Sequence, residues 1–216
     1  MNQQKTFLVF GATGQTGQHF TALALKQGHK VRAVVRNAGK LAITHPDLAV
    51  HPGAVPGVAN LDELLQDTDF VVCMLGDAQM QKQQKVNTAF VHELVPAMRR
   101  AGVSRFLYQA GGLSKPPGSK LSLPFRIIKG TVARSFIGQH EDNESVMEYL
   151  THEAGDIEWM VHRAGIGSNG PSKGTLKRSS TAFSIGTFED VAAYNLHTVM
   201  DPSAIHTCDL STYRQP

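Results

Sequence analysis

The chain has 216 residues, 41% hydrophobic and 18% charged, with a formal net charge of +3 at pH 7 when histidine is neutral. That size suits one domain spanning residues 1–216, with a buried sheet covered by helices on both faces and no room for a second large domain. The positive charge is spread without a long basic run, which argues against nucleic acid as a partner, and no apolar run approaches the eighteen residues of a membrane span.

In chain order, Lys5 to Phe10 is predicted as the first strand, followed by Gly11-Ala12-Thr13-Gly14-Gln15-Thr16-Gly17. A helix is expected from about Gly14 to Gln27, with Phe20, Leu23 and Ala24 on one face and Gly28 as its stop. Lys30 to Val35 reads as the second strand, Leu48 to His51 as a weak third and Leu61 to Leu65 as a short helix. The uninterrupted apolar run Phe70 to Leu75, closed by Gly76, has the character of a central parallel strand.

A long helix from about Gln83 to Arg100 carries Val86, Phe90, Val91, Leu94 and Met98 at helical spacing, with a kink expected at Pro96. Arg105 to Ala110 is the fifth strand. Glu141 to Thr151 reads as a helix whose first turn holds Glu141, Asp142 and Glu144, where negative charge suits the dipole. Ile157 to His162, a helix from Asp190 to Met200 and a last strand from Ile205 to Asp209 complete the alternation. Strand and helix in turn predict a doubly wound parallel sheet, with two long irregular stretches, Gly111 to Leu123 and Gly165 to Lys177, as substrate-loop elaborations.

The glycine string gives this scaffold its first chemistry. A strand that turns sharply into a helix, with glycines at 11, 14 and 17, lets a pyrophosphate approach the backbone and rest on free N–H groups at the helix N-terminus. Three spaced glycines are weak evidence alone; the strand before and helix after give them meaning. After the second strand, where a chain selective for NAD places an acidic residue against the ribose 2′-hydroxyl, this chain has Arg36, with Lys40 one turn later. A guanidinium pairs with a 2′-phosphate, which points to NADP(H); the other reading is a pair of solvated loop charges.

The remaining residues exclude more than they assign. Ten histidines are scattered singly, without partners at metal-ligand spacing, so no metal is expected. Cys73 and Cys208 fall in predicted strands and read as reduced, buried thiols. With neither a signal peptide nor a membrane span in the sequence, the chain is expected in the cytoplasm.

Gly11 to Gly17, Arg36-Asn37, Met74-Leu75-Gly76, Tyr108-Gln109-Ala110-Gly111 and Trp159 to Gly165, in this order, resemble the NmrA-like, NAD(P)H-binding branch of the atypical short-chain dehydrogenase/reductases. Within that branch the chain looks most like the biliverdin-IX-beta and flavin reductases. The resemblance covers essentially the whole chain and implies a Rossmann fold. It further implies that Gly11, Thr13, Gly14, Gln15, Thr16 and Gly17 hold the pyrophosphate, that Arg36 and Lys40 hold the 2′-phosphate, and that Leu75, Gly76 and Ala110 line the ribose and nicotinamide.

Departures from the pattern are equally specific. None of Tyr108, Tyr149, Tyr194 and Tyr213 has a lysine four residues later, so the proton-donating pair of ordinary short-chain dehydrogenases is missing. Ala110 stands where the flavin and biliverdin reductases carry serine, Gly165 where they carry histidine, and Ala54 where an acidic residue often follows the third strand. No catalytic residue is assigned. Gln109, Ser114, His140, Asn143 and Arg163 are polar candidates near the strand ends, each with a structural alternative such as capping or the satisfaction of buried carbonyls. The reading that follows is an NADPH-dependent reductase passing hydride to a small, flat, conjugated acceptor of the flavin or quinone type, which needs little help from an acid. The alternative is a non-catalytic NADP(H)-sensing regulator.

Overall fold

The computed structural model describes residues 3–213 apart from Ala78 and Val132. The first crossover runs from β1 (Thr6–Phe10) through α1 (Gln15–Lys26) to β2 (Lys30–Val35) and on to β3 (Leu48–Pro52). The chain then returns past α2 (Leu61–Leu65) to β4 (Phe70–Cys73), α3 (Val86–Ala101) and β5 (Arg105–Gly111). Beyond β5 come α4 (Leu123–Gly130), α5 (Ile137–Glu153) and β6 (Glu158–Ala164). Two short strands, β7 (Ile166–Ser168) and β8 (Lys177–Ser179), precede β9 (Gly186–Thr187), α6 (Phe188–Met200) and β10 (Cys208–Thr212).

The main sheet has the order β3-β2-β1-β4-β5-β6-β10-β8. Its strands are parallel from β3 to β10, and β8 pairs antiparallel with β10 at the edge. β7 and β9 form a small separate pair. The order in which strands are added reverses between β1 and β4, where a doubly wound sheet opens its ligand crevice. Phe10 is in register with Val34 on one side and Cys73 on the other, so three strands deliver their carboxyl ends to one level beside that crevice.

Alternation along the strands builds two cores. Leu8, Phe10, Val71, Cys73, Phe106 and Tyr108 point to the face covered by α3 and α5. Phe7, Val9, Val72, Met74 and Leu107 point to the face that α1 and α6 cover as a packed pair. With both faces buried, the central strands have no polar alternation, which is why they read as continuous apolar runs.

The helix α3 buries the predicted stripe and runs unbroken through Pro96 to Ala101, where Gly102 closes it with a left-handed φ of +69°. Two elements depart from expectation in extent. α5 begins at Ile137, so Glu141, Asp142 and Glu144 lie beyond its first turn and do not serve its own dipole. β10 starts at Cys208 because a short turn at Pro202–Ala204 and the left-handed His206 delay pairing. The helix α4 was absent from the periodicity reading for a physical reason: Leu123, Ile127 and Ile128 are all exposed, so it carries no buried stripe.

Candidate functional site

The glycine loop turns tightly from β1 into α1, with the Gly14 amide donating to the Gly11 carbonyl at 2.9 Å. Its three glycines do three different things. Gly11 has φ +89°, and a Cβ there would stand 2.6 Å from the Met74 carbonyl oxygen, so it is needed for the close passage of β4. A Cβ on Gly17 would come within 2.0 Å of the Gly11 carbonyl oxygen, so this glycine lets the helix seat on its own loop. Gly14 is different: an added Cβ meets only the Gly11 oxygen, at 3.2 Å, and otherwise points into open space. That space lies at the start of α1, where no side chain caps the helix. A cradle of this shape and polarity fits a pyrophosphate.

A cleft of about 600 Å³ opens along this edge. Gly14, Gln15, Thr16 and Gly17 line one wall, and Leu75, Gly76 and Ala110 lie in it at the ends of β4 and β5. Of the other predicted phosphate residues, Gly11 lies beneath the loop and Thr13 gives its carbonyl to Gln18 Nε2 at 3.0 Å. Arg36 lines a smaller adjoining hollow with Leu75, Gly76 and Asp77. There it faces Asp77 Oδ2 at 3.3 Å, with Nη1 against the Met80 sulfur. The carboxylate across from Arg36 therefore comes from the loop after β4 rather than from the end of β2. Lys40 is exposed in the turn Ala38–Lys40 and lines neither cavity.

The opposite wall is made of buried polar side chains. Tyr108 and Gln109, adjacent on β5, point to opposite faces of the sheet and each starts a hydrogen-bonded chain. Gln109 Oε1 accepts from Asn195 Nδ2 at 2.7 Å, Asn195 Oδ1 meets His162 Nδ1 at 2.6 Å, and His162 Nε2 meets Ser211 Oγ at 2.8 Å. Desolvation pushes the buried His162 ring down to about 4, so it is neutral at pH 7. On the other face the Tyr108 hydroxyl donates to Asn143 Oδ1 at 2.5 Å, and Asn143 Nδ2 donates to Ser114 Oγ at 3.2 Å. Ser114 Oγ in turn lies 3.1 Å from His140 Nδ1. His140, 6% exposed, lines the cleft; burial, aided by the nearby Lys129 charge, lowers it to about 4.

Asp142 anchors the helix that carries these groups. Its carboxylate accepts from the backbone amides of Asn87 and Thr88, both at 2.9 Å, and from Gln81 Nε2 at 2.8 Å. It thus caps α3 from across the fold, where negative charge faces the positive helix end. Arg163 is not a substrate clamp: it is buried and donates to the carbonyls of Ser114 and Gly112 at 2.9 and 3.3 Å. Nor is Gly165 a vacancy for a ligand. Phe183 fills the space beside it, so that a Cβ on Gly165 would lie 2.1 Å from the ring, and Phe125 of α4 packs edge-on against Phe183 at 5.3 Å. Ile128, Phe136 and Ile185, all exposed, complete an apolar rim around the cleft mouth.

Sequence reasoning placed His140 and Asn143 near the site and read the apolar, basic stretch Phe125 to Lys129 as able either to dock a flat ligand or to cover the sheet, but left Asn195, His162 and Phe183 outside it. Asn195 and Ser211 are separated from their partners by 86 and 49 positions, and no local spacing announces such pairs.

Among the described residues, no helix is long and apolar enough to cross a membrane. The fold is shared with solved structures of low sequence identity. The oxidoreductase ylbE from Lactococcus lactis is 17% identical with a TM-score of 0.76, over 97% of this chain and 91% of that one. A Rossmann-fold NAD(P)-binding family protein from Shigella flexneri is 20% identical with a TM-score of 0.69, over 99% and 98% of the two chains. ChuY, an anaerobilin reductase from Escherichia coli O157:H7, is 17% identical with a TM-score of 0.73, over 98% and 100%. A family model described as NAD(P)H-binding matches residues 11–202, from the glycine loop to the turn before β10. Given that match over most of its length, the chain belongs to the NAD(P)H-binding family.

Proposed function

We propose that this protein is an NADPH-dependent reductase of a flat, conjugated acceptor. The carrying observation is the cleft itself, which has a glycine-bearing wall at the uncapped start of α1 and a wall of polar groups under an apolar rim. When bound, the reduced nicotinamide supplies a hydride. In this reading Gln15, Thr16 and Gly17 offer backbone amides to the pyrophosphate, while Gly11 and Thr13 shape the turn that presents them and Gly14, its amide held by the Gly11 carbonyl, leaves room for the phosphates. Arg36, leaving Asp77, pairs with the 2′-phosphate, and Lys40 adds a second positive charge from the neighbouring turn. Leu75, Gly76 and Ala110 line the ribose and nicotinamide side, close to the donors of β5 and α5.

The apolar rim supports the choice of acceptor. Phe125, Ile128, Phe136, Phe183 and Ile185 exclude water from a planar ring and hold it against the cleft floor. The sequence has no Tyr-x-x-x-Lys pair, which suits an acceptor that needs orientation more than an acid. The test is to mix the protein with NADPH and, separately, FMN, menadione, biliverdin and small aldehydes while following nicotinamide absorbance. Acceptor-dependent oxidation by FMN or menadione supports the reductase. Tight NADPH binding without turnover of any acceptor would instead establish a cofactor-sensing regulator.

A further inference from the structure

We propose that His140 offers its Nε2–H to a bound acceptor as a neutral hydrogen-bond donor, and that the acceptor is therefore a planar ring carrying a carbonyl oxygen. The proposal rests on the reductase reading above and narrows its substrate class. His140 Nε2 is a buried polar atom, closed to solvent in the free protein and with no hydrogen-bond partner among the described residues, on a side chain that is 6% exposed and lines the cleft, so that a small turn of the ring would bring it to a ligand there. Buried N–H groups are nearly always paired, so an unpaired one at a ligand cleft marks where a ligand atom belongs.

The tautomer follows from a chain of bonds that begins at a backbone group. Asn87 Nδ2 lies 3.3 Å from the Leu75 carbonyl, which can only accept, so the Asn87 atom there is the amide nitrogen. The same nitrogen donates to the Tyr108 hydroxyl at 2.8 Å. Having accepted, the phenol gives its own proton to Asn143 Oδ1 at 2.5 Å, which turns the Asn143 nitrogen toward Ser114 Oγ at 3.2 Å. Ser114 Oγ accepts there, and among the described residues the one acceptor within reach of its own buried proton is His140 Nδ1, at 3.1 Å, so the hydroxyl is assigned as donor to that nitrogen. With Nδ1 accepting, the single proton of the neutral ring stays on Nε2. Five side chains thus relay one polarity from the end of β4 to the cleft, and every link but the last has its partner.

Such a donor selects for an oxygen. A ring carbonyl that gains electron density during reduction draws a stronger hydrogen bond from such an N–H than it does in its oxidised state, without the proton leaving His140. Acceptors lacking a carbonyl would fill the apolar rim and leave this N–H unpaired.

Two measurements test the proposal. Long-range proton–nitrogen NMR spectra of the free protein, with the His140 signals identified by their loss in His140→Gln, should show a neutral ring protonated at Nε2 and not at Nδ1. Equilibrium dialysis with saturating NADP⁺ should then show menadione bound about threefold to tenfold more weakly by His140→Phe, the worth of one hydrogen bond. His140→Gln, whose amide can present a donor nitrogen, should recover most of that loss, and NADP⁺ affinity should be unchanged in both variants. 2-Methylnaphthalene, the same ring without carbonyls, should bind wild type more weakly than menadione does and should not distinguish the variants. A proton on Nδ1, wild-type menadione affinity in His140→Phe, or no menadione binding to a wild-type protein that binds NADP⁺ would each overturn the proposal. Failure of wild type to bind NADP⁺ would instead overturn the reductase reading, with the tautomer still deciding the status of His140.

Discussion

The two walls of the cleft are built on opposite principles. The wall at α1 works through its glycines: Gly11 and Gly17 bring backbone close to backbone, and Gly14 leaves open the space before the uncapped start of the helix. The wall at β5 and α5 is made of buried polar side chains whose every hydrogen bond constrains the next. The first wall binds by charge and backbone dipoles at a solvent-facing edge, and the second orients by neutral donors in a dry one. Substitutions on the two walls should therefore fail differently, one in ligand affinity and the other in stability and its pH dependence.

The largest effect belongs to Gly14. Beyond the Gly11 carbonyl oxygen, 3.2 Å away, its Cβ direction is open, so Gly14→Val should fold with at most a small loss of stability while filling the volume assigned to the pyrophosphate. NADPH affinity should drop at least a hundredfold, since two lost charge-assisted hydrogen bonds contribute roughly 1.5–3 kcal/mol each. Calorimetric titration with NADPH and a thermal melt check both halves of this claim. A variant that melts like wild type and binds NADPH equally well would remove the glycine wall from the site. Gly17→Ala should do the reverse. Its methyl would strike the Gly11 carbonyl, so stability should fall by about 1–3 kcal/mol, the usual cost of overpacking, read from the urea midpoint.

This contrast also explains what the sequence disclosed. The glycine wall is local: its meaning lies within Gly11 to Gly17, between a recognisable strand and helix, and the strands Lys30–Val35 and Phe70–Cys73 are legible because both their faces are buried. The polar wall is non-local. Tyr108 meets Asn143 across 35 positions and Gln109 meets Asn195 across 86, so nothing near Gln109 in the chain shows which of its amide atoms is occupied. Asp142 was visible as a charge at the start of a helix, yet it serves the amides of α3, a different helix. The short strands β7, β8 and β9 carry too few residues to show a period, and α4 turns its apolar side outward.

On the polar wall the expected signature is acid sensitivity. His140 and His162 are both held neutral, lowered to about 4, whereas in the unfolded chain each titrates near 6.5. The folded state therefore disfavours the proton that the unfolded state accepts. The stability each contributes is fully present above about pH 6.5 and is lost as pH falls toward 4. Each histidine should remove about 1.4 kcal/mol per pH unit across that window, so unfolding free energies from urea titrations at pH 6.5 and 5.0 should differ by a few kcal/mol in total. His162→Gln should flatten that slope by about half, and an unchanged slope would show that His162 is not held neutral by the fold.

The smallest effect probes a charged pair at the cofactor wall. Arg36 and Asp77 are 3.3 Å apart, with the arginine side chain 64% exposed and the carboxylate 33%, so the pair itself contributes little to stability. For cofactor choice its consequence is larger than for folding. A 2′-phosphate arriving at Arg36 must displace Asp77 and then sit near its negative charge, whereas a 2′-hydroxyl could donate to that carboxylate. Asp77 therefore moderates the preference for NADPH that Arg36 creates. Asp77→Asn should tighten NADPH binding by about twofold to fivefold, the range expected of an exposed ion pair, and slightly weaken NADH. Arg36→Ala should act in the other direction, costing NADPH about tenfold or more and leaving NADH nearly unchanged. Both shifts should shrink as salt rises from 50 to about 500 mM, because these charges face solvent and the Debye length falls to a few ångströms. The acid sensitivity of the buried histidines should survive the same salt. Dissociation constants for both cofactors across that salt range decide the matter, and equal NADPH and NADH affinities in wild type would show that Arg36 does not read the 2′-phosphate.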